Sequence, residues 1–389
     1  MIAQCPMDLA SPTPFLGGLS PDEFMRRHWQ KRPLVVRAAA PEAAALVGRA
    51  DLFRLAARDG VESRLVVRDG ERWTVRQGPL ARRALPAAAA SWTLLVQGVD
   101  LHLEAAHRLL GRFRFVPDAR LDDVMVSYAT DGGGVGPHVD SYDVFLLHLQ
   151  GRRRWRIGRA GRRPVLLADA PLKILADFAP SAEWLLEPGD MLYLPPGWGH
   201  DGVAEGEAIT ASIGFRAAGA GRLGLEVAQH VLDGFDPPDA EALYADPDQP
   251  ATAEPGRIPA PLREYAERAV SRLLSDREAL DRALGETLSE PKPGVWFESV
   301  ELPREVAAVR LDRRTRMLYD DRHVYVNGEA FRMAGRDARL VRRLADRRAL
   351  DRADVASLSA EARAQVASWI ASGWLIGTDG ATLREEERP

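Results

Sequence analysis

Apolar positions along this chain follow two rhythms, and the change between them falls near Arg216. Before it, short apolar runs alternate with polar positions and are bounded by Gly, Asp and Pro. They include Leu65–Val67, Trp92–Val96, Val124–Thr130, Tyr142–Leu149, Arg154–Ile157, Met191–Leu194 and Ala208–Phe215. Turn signals such as Asp131-Gly132-Gly133-Gly134, Pro188-Gly189-Asp190 and Pro195-Pro196-Gly197 separate them. Many short strands at this spacing predict an antiparallel sandwich or barrel. One helix precedes them: Ser20-Pro21-Asp22-Glu23 reads as a capping box with proline in the first turn.

After Arg216 the apolar residues adopt helical spacing, at Leu223, Val227, Val231 and Leu232. A Pro/Asp/Ala-rich loop, Phe235–Pro261, leads to a second helical stretch, Leu262 to about Leu284, and Glu290–Gly294 reads as a linker. Beyond it, Asn327-Gly328 between alternating runs predicts a hairpin. Helices are expected from Arg336 to about Leu350 and from Ser359 to Ser372. The chain shows no internal repeat.

Composition narrows this picture. The 389 residues suit two or three domains, and 46% hydrophobic with 28% charged residues excludes a disordered chain. A net charge of −4 argues against general, direct nucleic-acid binding. Arginine supplies nearly all basic residues, with lysine only at Lys31, Lys173 and Lys292, so arginine runs carry less meaning here than elsewhere. The one cysteine, Cys5, rules out an internal disulfide and thiolate metal clusters. Met1–Phe15 lacks the pattern of a signal peptide, and the longest charge-free apolar stretch, Ala84–Val99, falls short of a membrane span. A soluble, cytoplasmic protein is expected, with no membrane association.

Without thiolates, a metal must be held by histidine and carboxylate. In Gly136-Pro137-His138-Val139-Asp140, positions i and i+2 of a strand put His138 and Asp140 on one face. In Glu187-Pro188-Gly189-Asp190…Pro195-Pro196-Gly197-Trp198-Gly199-His200, a turn, a strand and a second turn present His200. Two histidines and one carboxylate leave coordination positions open, the facial triad of non-heme Fe(II) oxygenases. A lone His-x-Asp would carry little. Here five residues separate Gly132 from His138 and five separate Gly189 from Pro195, which resembles the two motifs of the cupin barrel. Between them lies Gly151-Arg152-Arg153-Arg154-Trp155. A 2-oxo acid that chelates the metal leaves a far carboxylate in need of a cation, and a guanidinium binds carboxylate bidentately. On a strand Arg153 and Trp155 share one face, Arg152 and Arg154 the other.

These segments, with Ser212-Ile213-Gly214-Phe215-Arg216 and His28–Leu34, resemble the JmjC-type 2-oxoglutarate- and Fe(II)-dependent oxygenases. More narrowly they resemble the bacterial ribosomal oxygenases that hydroxylate an arginine of a large-subunit ribosomal protein. The resemblance implies an α+β chain: a double-stranded β-helix (cupin, jelly-roll) barrel over residues 1–216, a helical dimerisation segment over 217–293, and a winged-helix-like domain over 294–389. It implies Fe(II) held by His138, Asp140 and His200, with 2-oxoglutarate and O2 as co-substrates. It selects Arg153 of the triplet for the far carboxylate, with Ser212 (or Thr210) and Ser127 as further pocket candidates. Ala204 departs from simple cupins, which carry a polar residue there. The implied partners are a ribosomal protein substrate and a second copy of the chain.

Three further readings stand beside this one. Tyr142 and Asp143 are candidates for the substrate rim, against packing for Tyr142 and a surface or turn role for Asp143. His148 is expected to pack in the core. Residues 301–389 carry 17 Arg against 15 Asp/Glu, and Asp337, Asp346 and Asp351 interleave Arg339, Arg342, Arg343 and Arg347, as on a solvated helix. The competing functions are a hydroxylase or demethylase of another protein, or a non-catalytic cupin regulator with a DNA-binding C-terminal domain.

Overall fold

A computed structural model describes residues 8–70, 72–86, 91–161, 163–234, 243–251 and 256–378. Cys5 and part of the Phe235–Pro261 loop lie outside the described residues. The chain forms two compact units that part between Ala217 and Ala218. No helix among the described residues is long and apolar enough to cross a membrane.

Among the described residues the first unit is built on ten strands: β1 (Leu34–Val36), β2 (Ser63–Asp69), β3 (Arg72–Gln77), β4 (Ser91–Val96), β5 (Leu121–Ala129), β6 (His138–Val139), β7 (Val144–Arg159), β8 (Ala182–Leu186), β9 (Met191–Leu194) and β10 (Trp198–Phe215). They run in the order β1-β9-β7-β10-β5-β4-β2-β3, with β6 on β10 and β8 on β7. All the pairings are antiparallel. Helices α1 (Pro21–Arg27), α2 (Arg49–Ala56) and α3 (Glu104–Gly111) accompany the sheet. The Ser20 capping box forms as expected, with Ser20 Oγ and Glu23 Oε2 each accepting the other's backbone N–H at 3.2 Å.

Period-two alternation sorts the side chains into two layers. Leu65, Leu94, Val126, Phe145, Leu147, Tyr193, Ala211 and Ile213 join a large core with Phe24, Trp29, Phe113 and Phe215, whose rings interlock. Val144, Leu146, Leu192, Leu194 and Leu186 line the other face with Trp155 and Ile157.

The runs Tyr142–Leu149 and Arg154–Ile157, expected as separate strands, are one 16-residue strand, β7. Gly151 makes this possible by adopting φ +67°, and the β7–β10 register shifts between Glu205 and Ile209 opposite it. This irregularity reverses the alternation, as β-bulges do. Even-numbered residues face the interior up to His148, and odd-numbered ones from Arg153 onward.

The second unit holds α4 (Ala220–Asp233), α5 (Ala260–Leu273) and α6 (Arg277–Ser289), then β11 (Ala308–Leu311), β12 (Met317–Tyr319), β13 (His323–Val326) and β14 (Glu329–Arg332). Helices α7 (Gly335–Arg347), α8 (Arg352–Ala356) and α9 (Ala360–Ala371) follow, with β15 (Ala349–Leu350) between the first two and β16 (Leu375–Thr378) last. The single helix expected over Leu262–Leu284 is two, because Asp276 caps a new helix by accepting from Ala279 N at 3.1 Å. Asn327 and Gly328 take φ 52° and 91°, the hairpin turn their sequence predicts. The sheet β15-β11-β16 packs with α7–α9 around Val341, Leu344, Val366 and Trp369, a winged-helix arrangement.

Gly151 admits no side chain, since a Cβ there would lie 1.8 Å from the Glu207 carbonyl oxygen. Gly151→Ala is expected to cost about 2–3 kcal/mol in urea unfolding. Gly161→Ala, with open space around it, should leave the midpoint unmoved.

Candidate active site

His138 and His200 are opposed residues of the β6–β10 ladder, with ring centroids 4.1 Å apart. Each ring is oriented by its own backbone: His138 Nδ1 lies 3.0 Å from the Gly136 carbonyl oxygen and His200 Nδ1 3.2 Å from that of Trp198. A carbonyl only accepts, so Nδ1 carries the proton and each Nε2 is left with a free lone pair. Both Nε2 atoms face Asp140 Oδ2, at 4.0 and 3.7 Å. Gly197 N donates to the Asp140 carbonyl oxygen at 3.0 Å, tying the proline-glycine turn to the first motif. One ligand atom from each of the three residues falls within 4.8 Å of the others.

Burial, then the neighbouring His138, holds the His200 imidazole well below its ordinary pKa, so it stands neutral and ready to ligate. Burial raises the Asp140 carboxyl, opposed by His138, by a hydrogen bond from Tyr142 and by the charge of Arg64. A dication at this point would favour the charged carboxylate, so the donor set suits a divalent metal.

The arginine triplet divides as the strand faces require. Arg152 faces Glu205 at 3.9 Å, Arg154 pairs with Glu183 and Glu205 at 2.6 and 2.5 Å, and Arg156 pairs with Asp201 at 2.5 Å. Arg153 turns inward and is 5% exposed. Its Nη1 donates to Ser127 Oγ at 3.3 Å, while Nε and Nη2 are buried with no partner among the described residues. Desolvation lowers its pKa to about 10, so it remains a cation at neutral pH. Thr210 Oγ1, opposite Ser127 on the ladder, is also buried without a partner. A buried cation with two unused donor groups and a free hydroxyl beside it is a cradle for a carboxylate. Ser212, two residues along β10, lies on the same face and is 8% exposed.

Trp155 joins the two halves of the site. Its ring lies 5.9 Å from His200 and 5.8 Å from the Arg153 guanidinium carbon. Its indole N–H donates to His148 Nε2 at 2.9 Å, a contact that the reversed alternation allows. The expected packing role of His148 is thus joined by a hydrogen bond that depends on the bulge at Gly151. Gly202 opposite leaves room for the indole, since a Cβ there would lie 2.6 Å from the ring. Tyr142 is 39% exposed beside Asp140, as a rim residue would be. Asp143 is neither rim, surface nor turn. It is fully buried and accepts from Tyr193 Oη at 2.6 Å and Gln30 Nε2 at 3.1 Å, because the alternation that turns Tyr142 toward Asp140 turns Asp143 into the core.

Comparison with known proteins agrees with this geometry. A JmjC-domain model matches residues 108–223 and a ROXA-like winged-helix model matches residues 272–376. The chain is 34% identical over 328 residues to the Escherichia coli ribosomal protein uL16 3-hydroxylase, covering 79% of this chain and 84% of that protein. The chain belongs to the JmjC family of ribosomal oxygenases. A second ribosomal oxygenase, a probable one from Haemophilus influenzae, is 28% identical over 92% of this chain and 96% of its own length. The structure of the ribosomal oxygenase YcfD from Escherichia coli in complex with cobalt and 2-oxoglutarate aligns with a TM-score of 0.77 at 30% identity, covering 93% of this chain and 99% of that one. The expected cupin barrel and winged helix are both present in this ribosomal oxygenase.

The buried His148 makes stability depend on pH. Desolvation lowers its pKa to about 3, against 6.5 ordinarily. Between these values the unfolded chain takes up a proton the native state refuses, so this contribution is lost as pH falls through that window. His148→Gln should flatten the stability–pH slope between pH 6 and 4 by about 1.4 kcal/mol per pH unit, read by urea unfolding. An unchanged slope would place the acid sensitivity elsewhere.

Proposed function

We propose that this chain is a 2-oxoglutarate- and Fe(II)-dependent protein hydroxylase that modifies a ribosomal protein, with an arginine side chain of the large subunit as its target. The observation that carries this reading is the unpaired, buried Arg153 guanidinium behind an open His-Asp-His set. A structural metal site would be closed, and a buried cation would be balanced within the protein. His138, Asp140 and His200 hold the metal; Arg153, with Ser127 and Ser212, holds the far carboxylate of 2-oxoglutarate. Fe(II) with 2-oxoglutarate and O2 supplies the chemistry: one oxygen atom enters a C–H bond, the other enters succinate, and CO2 leaves. The chain's own residues orient and shield. The backbone carbonyls of Gly136 and Trp198 fix the imidazoles, Trp155 spaces His200 from Arg153, and the apolar wall of Leu146, Leu192 and Leu194 excludes water.

We read residues 1–216 as the catalytic domain, 217–293 as a dimerisation segment and 294–389 as a winged-helix-like domain. The apolar side chains exposed on the helical segment support a homodimer: Leu225, Leu232, Val270 and Leu274 among them. The cytoplasm, where ribosomal proteins are available, is the compartment this reading requires. The regulator reading is disfavoured by α9, the second helix of the helix-turn-helix, which such domains place in the DNA groove. Its exposed positions, Ala360, Glu361, Arg363, Ala364 and Ser368, bring no net positive charge.

Mass spectrometry of ribosomal proteins from cells with and without this gene should show one arginine peptide heavier by one oxygen atom. His138→Ala should abolish succinate formation, and retained turnover would remove that ligand. Arg153→Met should raise the 2-oxoglutarate requirement by roughly thirtyfold or more, as losing one side of a buried charge pair does. Light scattering should report a dimer that Leu225→Glu with Val270→Glu converts to monomer.

A further inference from the structure

A second arginine on the interior face has no partner among the described residues. Arg64 on β2 lies opposite Gln77 on β3 and Leu95 on β4; Leu95 lies opposite Ser127, and Ser127 opposite Thr210. Directly opposed residues of an antiparallel sheet project to the same side. One row of side chains therefore runs from Arg64 to the serine that receives Arg153. The neighbours Leu65, Leu94 and Val126 point the other way, into the core.

Arg64 makes no hydrogen bond or ion pair among the described residues, and its Nε is buried. This differs from Arg154 and Arg156, whose guanidinium groups meet carboxylates. On the same face of the β2–β3 ribbon Trp73, opposite Arg68, reaches Gly136 two residues before His138, where a Cβ would lie 3.0 Å from the indole, so the face that carries Arg64 lies beside the His-Asp-His set. A buried N–H without an acceptor is costly unless a ligand supplies one. The far carboxylate of 2-oxoglutarate has Arg153 in this reading. The target side chain is itself a cation and would be repelled. What remains is the flank of the incoming polypeptide.

We propose that Arg64 is a specificity-determining residue that binds an oxygen acceptor of the substrate polypeptide, a main-chain carbonyl or a carboxylate, next to the residue that is hydroxylated. The inference rests on the protein-hydroxylase reading of the site. It makes Arg64 the group that sets the depth and register at which the polypeptide enters, while the oxidising centre is left to the other residues.

The test uses the full chain with Fe(II), 2-oxoglutarate and a synthetic arginine-containing peptide copied from uL16 of the same cell. Arg64→Ala should raise the peptide concentration for half-maximal rate about tenfold or more, as loss of a charged hydrogen bond does. The 2-oxoglutarate requirement should stay within twofold, which also shows that the variant folds, and Arg64→Lys should recover part of the loss. If exchanging the peptide's acidic residues for amides weakens the wild type but not Arg64→Ala, the acceptor is a carboxylate; if neither changes, it is a main-chain carbonyl. An unchanged peptide requirement in Arg64→Ala, or a raised 2-oxoglutarate requirement instead, overturns the proposal. Peptide affinity measured by calorimetry keeps the two readings apart. A wild type that binds the peptide tenfold more tightly than Arg64→Ala yet never oxidises it overturns the hydroxylase reading alone.

Discussion

A guanidinium sealed inside a β-barrel, with no carboxylate to meet it among the described residues, is the constraint around which the catalytic unit is organised. Burying Arg153 is expensive, and its contact with Ser127 returns only a fraction of the cost. The long β7–β10 ladder is what can hold a side chain in that position. Gly151 lies at its centre for the same reason: without the reversal of alternation there, Arg153 and Trp155 would point to the side now taken by Arg154 and Arg156. The bulge therefore decides which arginine of the triplet is internal.

The metal half of the site depends on the same ladder by a different route. His138 and His200 face each other because β6 adds to the edge of β10 at that register, and main-chain carbonyls fix both tautomers before any metal arrives. Further back, Asp143 gathers Tyr193 and Gln30 under the start of β7. The N-terminal segment around Trp29 and Gln30 thereby becomes a buttress for the strand that carries Arg153. Asp143, open in the sequence to a rim role or to a surface or turn role, instead braces the scaffold.

What the sequence disclosed follows the range of the forces involved. His138, Asp140 and His200 were legible because each motif is local: alternation, a turn and a rigid proline-glycine corner set their directions. Asn327-Gly328 and the Ser20 cap were legible for the same reason. The single helix over Leu262–Leu284 was misjudged because apolar spacing continues through Asp276, and a cap inside an amphipathic run leaves no break in the pattern. The His148–Trp155 bond and Arg64 were not legible. One needs the parity change at Gly151, and the other needs β2 to dock beside β4 in a register set by contacts far apart in sequence.

On the proposed reading, charge arithmetic connects Arg153 and Arg64 to a basic partner. A divalent metal and one carboxylate leave a single positive charge at the centre, which a doubly charged 2-oxo acid reverses to a single negative one. In the proposed role Arg153 cancels that, so the inner pocket would become neutral only once the co-substrate is in place. Arg64 then leaves one positive charge on the approach. A cationic side chain is repelled from such a mouth unless its own polypeptide brings an acceptor to Arg64, and neutralisation and alignment become one event. Attraction alone would admit any basic segment of the ribosome, whereas a cation at the entrance admits the cation whose flank fits.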